Sequence, residues 1–175
     1  MSSAGSKIEV RESAIEGVGV FALEEFKEGD LVSTVNVVRE ITDSAPLRPD
    51  CGELFEHCAY PDGRVVLYGM PDRHLNHNCD PNAYEAYERG VAVIRARRSI
   101  QPGDEVTIDY NINQAGGDSW ACACSAQRCR SETLGSYFLL PIDVQIEYLP
   151  FLADWFIERH RDQIDEIRNT ITEWE

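Results

Sequence analysis

The sequence predicts a mainly β fold of the α+β class, on three observations. Short β-branched, apolar runs recur through the first two thirds of the chain. Turn residues separate them, above all Gly-Asp and Asp-Gly pairs. Sustained apolar spacing of three and four is confined to the C-terminal part, so no helices alternate with the strands and a doubly wound parallel sheet is not expected.

The elements follow in order. "KIEVRES" alternates, and "GVGVFAL" is short, apolar and punctuated by glycine. After the turn "EGD", the run "LVSTVNVVREI" has the β-branched density of one longer strand. "TDSAPLRPDCGELFEHCAYPDGR" then reads as a prolyl loop with a short helical turn at residues 53–58 and an Asp-Gly hairpin signal, before the strand "VVLYG". "GVAVIRARRSI", the turn "QPGD" and "EVTIDY" supply two further strands. A weak echo links "ALEEFKEGDLV" with "ARRSIQPGDEV", since both reach Gly-Asp just before an apolar strand. The flexible link "NQAGGD" leads to the dense "CACSAQRC". Beyond it, Leu152, Phe156, His160, Ile164, Ile167 and Ile171 mark one face of an amphipathic helix, with His160 as a packed or boundary residue.

At 175 residues and 43% hydrophobic, the chain can bury one ordinary core, which favours one domain. Its 31 acidic residues against 16 basic ones leave a formal charge of −15. Such a surface repels phosphate backbones and anionic membranes and draws in basic partners, although acidity also simply keeps a small domain soluble. No apolar run approaches the ~20 residues of a membrane helix, and "MSSAGSKIEV" lacks the build of a secretory signal. The expectation is an intracellular protein, without direct nucleic-acid or membrane binding, whose six cysteines are reduced thiols.

Cys122, Cys124 and Cys129 stand in a C-x-C-x4-C spacing, close enough for three thiolates to converge on one ion. A structural zinc needs four ligands. Cys51, Cys58, Cys79 and the histidines are the candidates for the fourth; Cys51 and Cys58 also read as small buried hydrophobes.

The segment "RHLNHNCDPN" packs one arginine, two histidines, one cysteine and three asparagines into ten positions. That many side-chain donors and acceptors suit a place where regular sheet pairing cannot satisfy the backbone. In "EGVGVFA", Gly17 and Gly19 allow a ligand to approach the backbone closely, but the third glycine of a dinucleotide fingerprint is missing and a simple turn would need the pair equally.

Taken together, "GVGVFA", "RHLNHNCDPN", "GDEVTIDY" and "CACSAQRCR", in this order, resemble the SET-domain protein lysine methyltransferases with a post-SET zinc motif. The resemblance runs from about Ile8 to Leu134. It implies a β-fold of several small sheets in which the segment after "RHL" passes under the "TIDY" loop as a pseudoknot. It also implies a SET domain over residues 1–116 with its core at about 8–112, a post-SET zinc segment over 117–134 and a helical extension over 135–175.

Residue by residue, Gly17, Val18 and Gly19 match the loop against the methionine part of S-adenosylmethionine. Asn76 and His77 match the cofactor-binding pair, and Arg73 the arginine that often precedes it. Tyr110 matches the tyrosine where the methyl group passes to lysine, and it also borders the cofactor. Cys79, Cys122, Cys124 and Cys129 match the four zinc ligands, so the resemblance supplies the fourth. The implied activity is methylation of lysine in a basic protein such as a histone; the alternative is a catalytically silent SET-like interaction module stabilised by zinc.

Some positions depart from the pattern. Ser131 stands where glycine commonly follows "CR", and Leu134, with Tyr137 and Phe138 after it, stands near the place of an aromatic that covers adenine. Ile108 occupies the position where an aromatic in many relatives limits how many methyl groups fit; it is either a sign that more than one methyl is added or a core strand residue. Tyr60 and Tyr68 either line the lysine channel or belong to the core, and Trp120 is placed to pack the zinc segment against the body.

Overall fold

The structure is a computed structural model and describes residues 6–172. Half of the opening "MSSAGSKIEV" therefore lies outside the described residues, as do the last three positions of the helical extension.

Twelve strands and three helices follow one another among the described residues. The strands are β1 (Ile8–Glu12), β2 (Val18–Ala22), β3 (Leu31–Thr34), β4 (Val37–Ile41), β5 (Cys58–Ala59), β6 (Val65–Tyr68), β7 (Asn76–His77), β8 (Ala83–Glu88), β9 (Val91–Ala96), β10 (Glu105–Ile108), β11 (Trp120–Ala121) and β12 (Glu132–Thr133). The helices are α1 (Ile142–Tyr148), α2 (Asp154–Arg159) and α3 (Arg161–Thr172). The strands form small separate sheets, in the orders β1-β2-β10-β7, β3-β9-β8, β4-β6-β5 and β11-β12. The mainly β expectation holds.

The run expected as one longer strand is divided between β3 and β4, which belong to different sheets. The chain turns at Val35 and Asn36, where Val35 N–H donates to Ala92 O and Asn36 N–H to the buried carboxylate of Asp72 (3.0 Å). Asp72 also accepts from Ser33 Oγ (2.6 Å), so a side chain outside the strand redirects its backbone. The Asp-Gly signal is a hairpin turn, with Asp62 and Gly63 both at positive φ between β5 and β6.

The echo in the sequence is an echo in the structure. Phe26 and Ile100 form an antiparallel bridge with each other. In one copy Lys27 N–H donates to Asp30 Oδ2 (2.8 Å), and in the other Gln101 N–H donates to Asp104 Oδ2 (2.9 Å). Gly29 and Gly103 take the left-handed conformation just before each aspartate, which a side chain would resist.

Two apolar clusters hold the molecule. Val20, Phe26, Ile94, Ile100 and Val106 centre the β body, while Tyr137, Tyr148, Phe156 and Ile164 centre the helical extension. Tyr87 packs on both. Tyr68 belongs to the first cluster, as does Ile108 at its partly buried edge.

The expected single C-terminal helix is broken. Leu152 is extended ahead of α2, and His160 departs from helical geometry (φ −116°, ψ 32°) between α2 and α3. Its ring lies 4.7 Å from that of Phe156 and 5.3 Å from that of Phe138. The helices span 7, 6 and 12 residues, at or below the ~12–15 at which an isolated helix holds in water. Packing of their apolar faces therefore sustains them. Among the described residues no helix is long and apolar enough to cross a membrane.

Candidate active site

The site grows from the parallel pairing of β7 with β10, Asn76 opposite Thr107 and His77 opposite Ile108. Pairing alone leaves backbone groups over, and side chains take them. Asn82 donates through Nδ2 to Glu105 O (2.8 Å) and accepts Thr107 N–H at Oδ1 (2.9 Å), while Asn78 N–H reaches Ile108 O (2.9 Å). The polar density of "NHNCDPN" is thus largely spent on fastening this segment to β10.

The glycine loop lies against the same strand. Asn76 Nδ2 lies within hydrogen-bonding reach of Glu16 O (3.2 Å), Val18 O (3.1 Å) and Glu105 Oε1 (2.7 Å). Ser13 Oγ donates to both oxygens of Glu105 (2.9 and 2.8 Å). A Cβ on Gly19 would overlap Glu105 Oε1, which explains the residue there. Arg73 stands on the turn before β7 with its guanidinium facing His74 (Nε to Nε2, 3.2 Å), so it is brought near the pair along the chain and its side chain engages a neighbour instead.

Tyr110 follows β10 and is fixed at both ends. Its backbone N–H donates to His77 Nδ1 (3.1 Å), and its hydroxyl donates to Leu75 O (2.6 Å). Burial, with the charges of Glu16 and Glu105, pushes its phenol up to about 12. Burial also brings His77 down to about 4 against the pull of Asp109, with Arg130 adding to the fall, so the imidazole is neutral at pH 7. With Nδ1 accepting, the proton sits on Nε2, which faces Cys79 Sγ at 3.4 Å. Trp120, half exposed, has its ring 6.3 Å from that of Tyr110.

Sequence reasoning missed Asp109, the residue between β10 and Tyr110. Its buried carboxylate accepts at Oδ1 from Asn111 N–H (3.0 Å) and Nδ2 (2.7 Å), and at Oδ2 from Arg130 (2.7 Å). Oδ1 also lies 3.6 Å from His77 Nδ1. The "DY" pair itself was the signal available: a charged residue beside a buried strand needs partners.

The cysteines converge. The sulfurs of Cys79, Cys122, Cys124 and Cys129 all lie within 4.8 Å of one another, and Cys79 and Cys122 are 3.8 Å apart. A tetrahedral zinc with Zn–S of ~2.3 Å sets sulfurs ~3.8 Å apart, far beyond the ~2.05 Å of a disulfide. Backbone N–H groups point at the sulfurs: Cys79 at Cys124, Arg130 at Cys79 and Ser131 at Cys129. Such bonds favour thiolates. Burial pushes Cys79 up and Cys122 up to about 11, whereas donation from the Cys79 and Ala126 backbones overcomes burial and brings Cys124 down to about 7. The donor set fits a structural zinc ion. Cys51 is exposed and Cys58 half-buried, and neither is part of this cluster.

A surface cavity of about 580 Å³, lined by Lys7, Glu24, Phe26, Asp30, Thr34 and Pro71 among others, shares no lining residue with the site.

A family profile described as "SET domain" matches residues 17–111, more than half of the chain. The chain belongs to the SET-domain family. The matched stretch of this SET chain holds the glycine loop, Arg73, Asn76, His77, Cys79 and Tyr110, and stops before Cys122. A Candida albicans protein named histone-lysine N-methyltransferase, H3 lysine-36 specific, is 26% identical over 140 residues, covering 71% of this chain and 16% of its own length. The Caenorhabditis elegans histone-lysine N-methyltransferase mes-4 is 27% identical over 153 residues, covering 74% and 17%. A Debaryomyces hansenii protein of the same name as the Candida one is 38% identical over 72 residues, covering 37% and 9%. The SET chain therefore spans less than a fifth of the length of these curated relatives.

Proposed function

We propose that this SET protein transfers methyl groups from S-adenosylmethionine to lysine side chains of a basic protein, with histones the first class to test. The observation that carries the reading is the fixed hydroxyl of Tyr110 beside the loop that Asn76 draws against Glu105. Bound S-adenosylmethionine supplies a methyl group already activated on a sulfonium, together with two positive charges and one carboxylate. The carboxylates of Glu16 and Glu105 act electrostatically on Tyr110, which makes the neighbourhood suited to a cation. Gly17, Val18, Gly19, Asn76 and His77 would hold the cofactor, with Arg73 behind them.

The residues have little covalent work to do. They must align an amine, exclude water and keep the amine neutral. A free lysine titrates near 10.4, and an apolar, enclosed channel lowers that value by disfavouring the ammonium form. Tyr110 remains protonated at neutral pH, so it orients the amine as a hydrogen-bonding group rather than as a base. Its backbone bond to neutral His77 fixes the main chain, and the bond of its hydroxyl to Leu75 O keeps the ring in place.

Zinc held by Cys79, Cys122, Cys124 and Cys129 would fasten the 117–134 segment beside Tyr110, where Trp120 lies. The surface charge of −15 favours basic peptides over nucleic acid. The names of the relatives support histones as the substrate class, and those of the two yeast proteins histone H3 in particular, which would put the protein on chromatin. A silent interaction module could use the same bonds to hold its fold, but it has no chemical need for a tyrosine at position 110.

The test is transfer of label from S-adenosylmethionine to purified core histones and to a basic cell extract. Label on lysine is the expected result. Cofactor binding that cannot be detected at millimolar concentration, together with no transfer to either, would sink the proposal.

A further inference from the structure

The methyl-transfer reading leaves unused two adjacent residues at the end of α1, Glu147 and Tyr148. Tyr148 is fully buried, and its hydroxyl is shared between Asp109 Oδ2 (3.2 Å) and Cys79 O (3.3 Å). Arg130 Nη1 donates to that same Cys79 carbonyl (3.3 Å), and Nη2 donates to Asp109. Glu147, one residue earlier, accepts from Arg128 Nη2 (2.7 Å) and from Arg97. Arg97 in turn donates to Pro81 O (3.0 Å). One turn of helix therefore grips the cysteine cluster on both sides: Tyr148 holds the segment that carries Cys79, and Glu147 holds the segment that carries Cys129.

The cluster needs such a grip. Cys79 and Cys122 are 43 residues apart, and the segment bearing Cys122, Cys124 and Cys129 has little structure of its own beyond the two-residue strands β11 and β12. Trp120 and Ala121 of β11 are exposed, so apolar burial does not anchor that segment there. The helix that provides the anchor is held by the second apolar cluster, through Val144 and Tyr148 itself.

We propose that α1 is a built-in clamp on the metal centre, in which Glu147 and Tyr148 are positioning residues that keep the four cysteines in binding geometry. Through Asp109 the same clamp reaches His77 and Tyr110. The inference rests on reading the four cysteines as a zinc site. It extends the functional unit from the SET core into the helical extension.

The experiment is competition for zinc between the full chain and a chromogenic chelator, below the unfolding temperature of every variant. The variants are Tyr148→Phe, Glu147→Gln and Arg128→Gln. The last changes a half-exposed surface side chain and leaves the buried core untouched. Ile164→Val loosens the same helical cluster without touching the cysteine segments, and serves as the control. Outer partners of metal ligands typically carry 10–100-fold in metal affinity. The expected result is a loss of about tenfold in zinc affinity for the three clamp variants and less than twofold for Ile164→Val. Zinc held equally by all variants, or lost equally by the control, would overturn the clamp while leaving the metal site standing. A native protein that binds no zinc would overturn the metal reading and the clamp with it.

Discussion

At Gly19 the backbone runs so close to Glu105 that any Cβ would overlap the carboxylate. Gly19→Ala should therefore push Glu105 off Asn76 and open the glycine loop, with at least a tenfold loss of cofactor affinity by calorimetry and only a small change in melting temperature. Unchanged affinity would show that the loop does not shape the cofactor site. Glu85 gives a second residue-scale prediction. Its carboxyl accepts from Tyr68 (2.8 Å) and Tyr87, and burial raises its pKa against these two donors, with the nearby charge of Asp72 adding to the rise. A carboxyl raised above its unfolded value keeps its proton longer in the folded state. Its contribution is fully present below the ordinary glutamate value near 4.5 and is lost as pH climbs through the raised value. Glu85→Gln should flatten that fall, so the melting temperature of the variant should drop less than that of the native protein between pH 5 and pH 9. Asn76 and His77 stood out in the sequence because so dense a run of polar side chains needs partners, and Tyr110 stood out only through the resemblance. Glu105 did not, because in a chain with 31 acidic residues nothing marks the one that meets Asn76, and Asp109 offered only its place in the "DY" pair beside a strand.

Elements were legible where a local rule decides them. The Asp-Gly hairpin and the paired Gly-Asp turns were readable because the backbone conformation and the closing side chain lie within four residues. Removing one closing bond, as in Asp104→Ala, should lower stability by about 1 kcal/mol in urea unfolding; an unchanged midpoint would mean the bond adds nothing beyond the bridge of Phe26 with Ile100. Elements were misread where a distant group intervenes. The division of 31–41 into β3 and β4 depends on Asp72, far along the chain, which takes Asn36 N–H out of strand pairing. The break at His160 follows packing of its ring on Phe138 and Phe156, whereas helical periodicity continues straight across it. The pairing of β7 with β10 is of the same kind, since the order of segments along a chain does not state which strands lie side by side.

At the scale of the whole molecule, the β body, the cysteine segment and the helical extension meet at Asp109. That carboxylate touches Asn111, Arg130 and Tyr148 and lies beside His77, so the three parts should respond together. Chelation of the metal should lower the melting temperature and expose the 117–134 segment to protease, with loss of methyl transfer; a chelated protein that keeps its melting temperature and activity would separate the metal from the fold. The family was legible at this scale because four motifs stand in a fixed order, two of them dense in polar residues. The helical extension's part was not, because Tyr148 reads in sequence as one more core aromatic. The central claim is that methyl transfer to lysine passes the hydroxyl of Tyr110, held in place by Leu75 and His77. The most direct measurement is turnover of native protein and Tyr110→Phe on the same lysine substrate, with cofactor affinity determined for both. A fall in kcat of about a hundredfold with cofactor affinity within threefold is the predicted result. Equal turnover by the two proteins would contradict it.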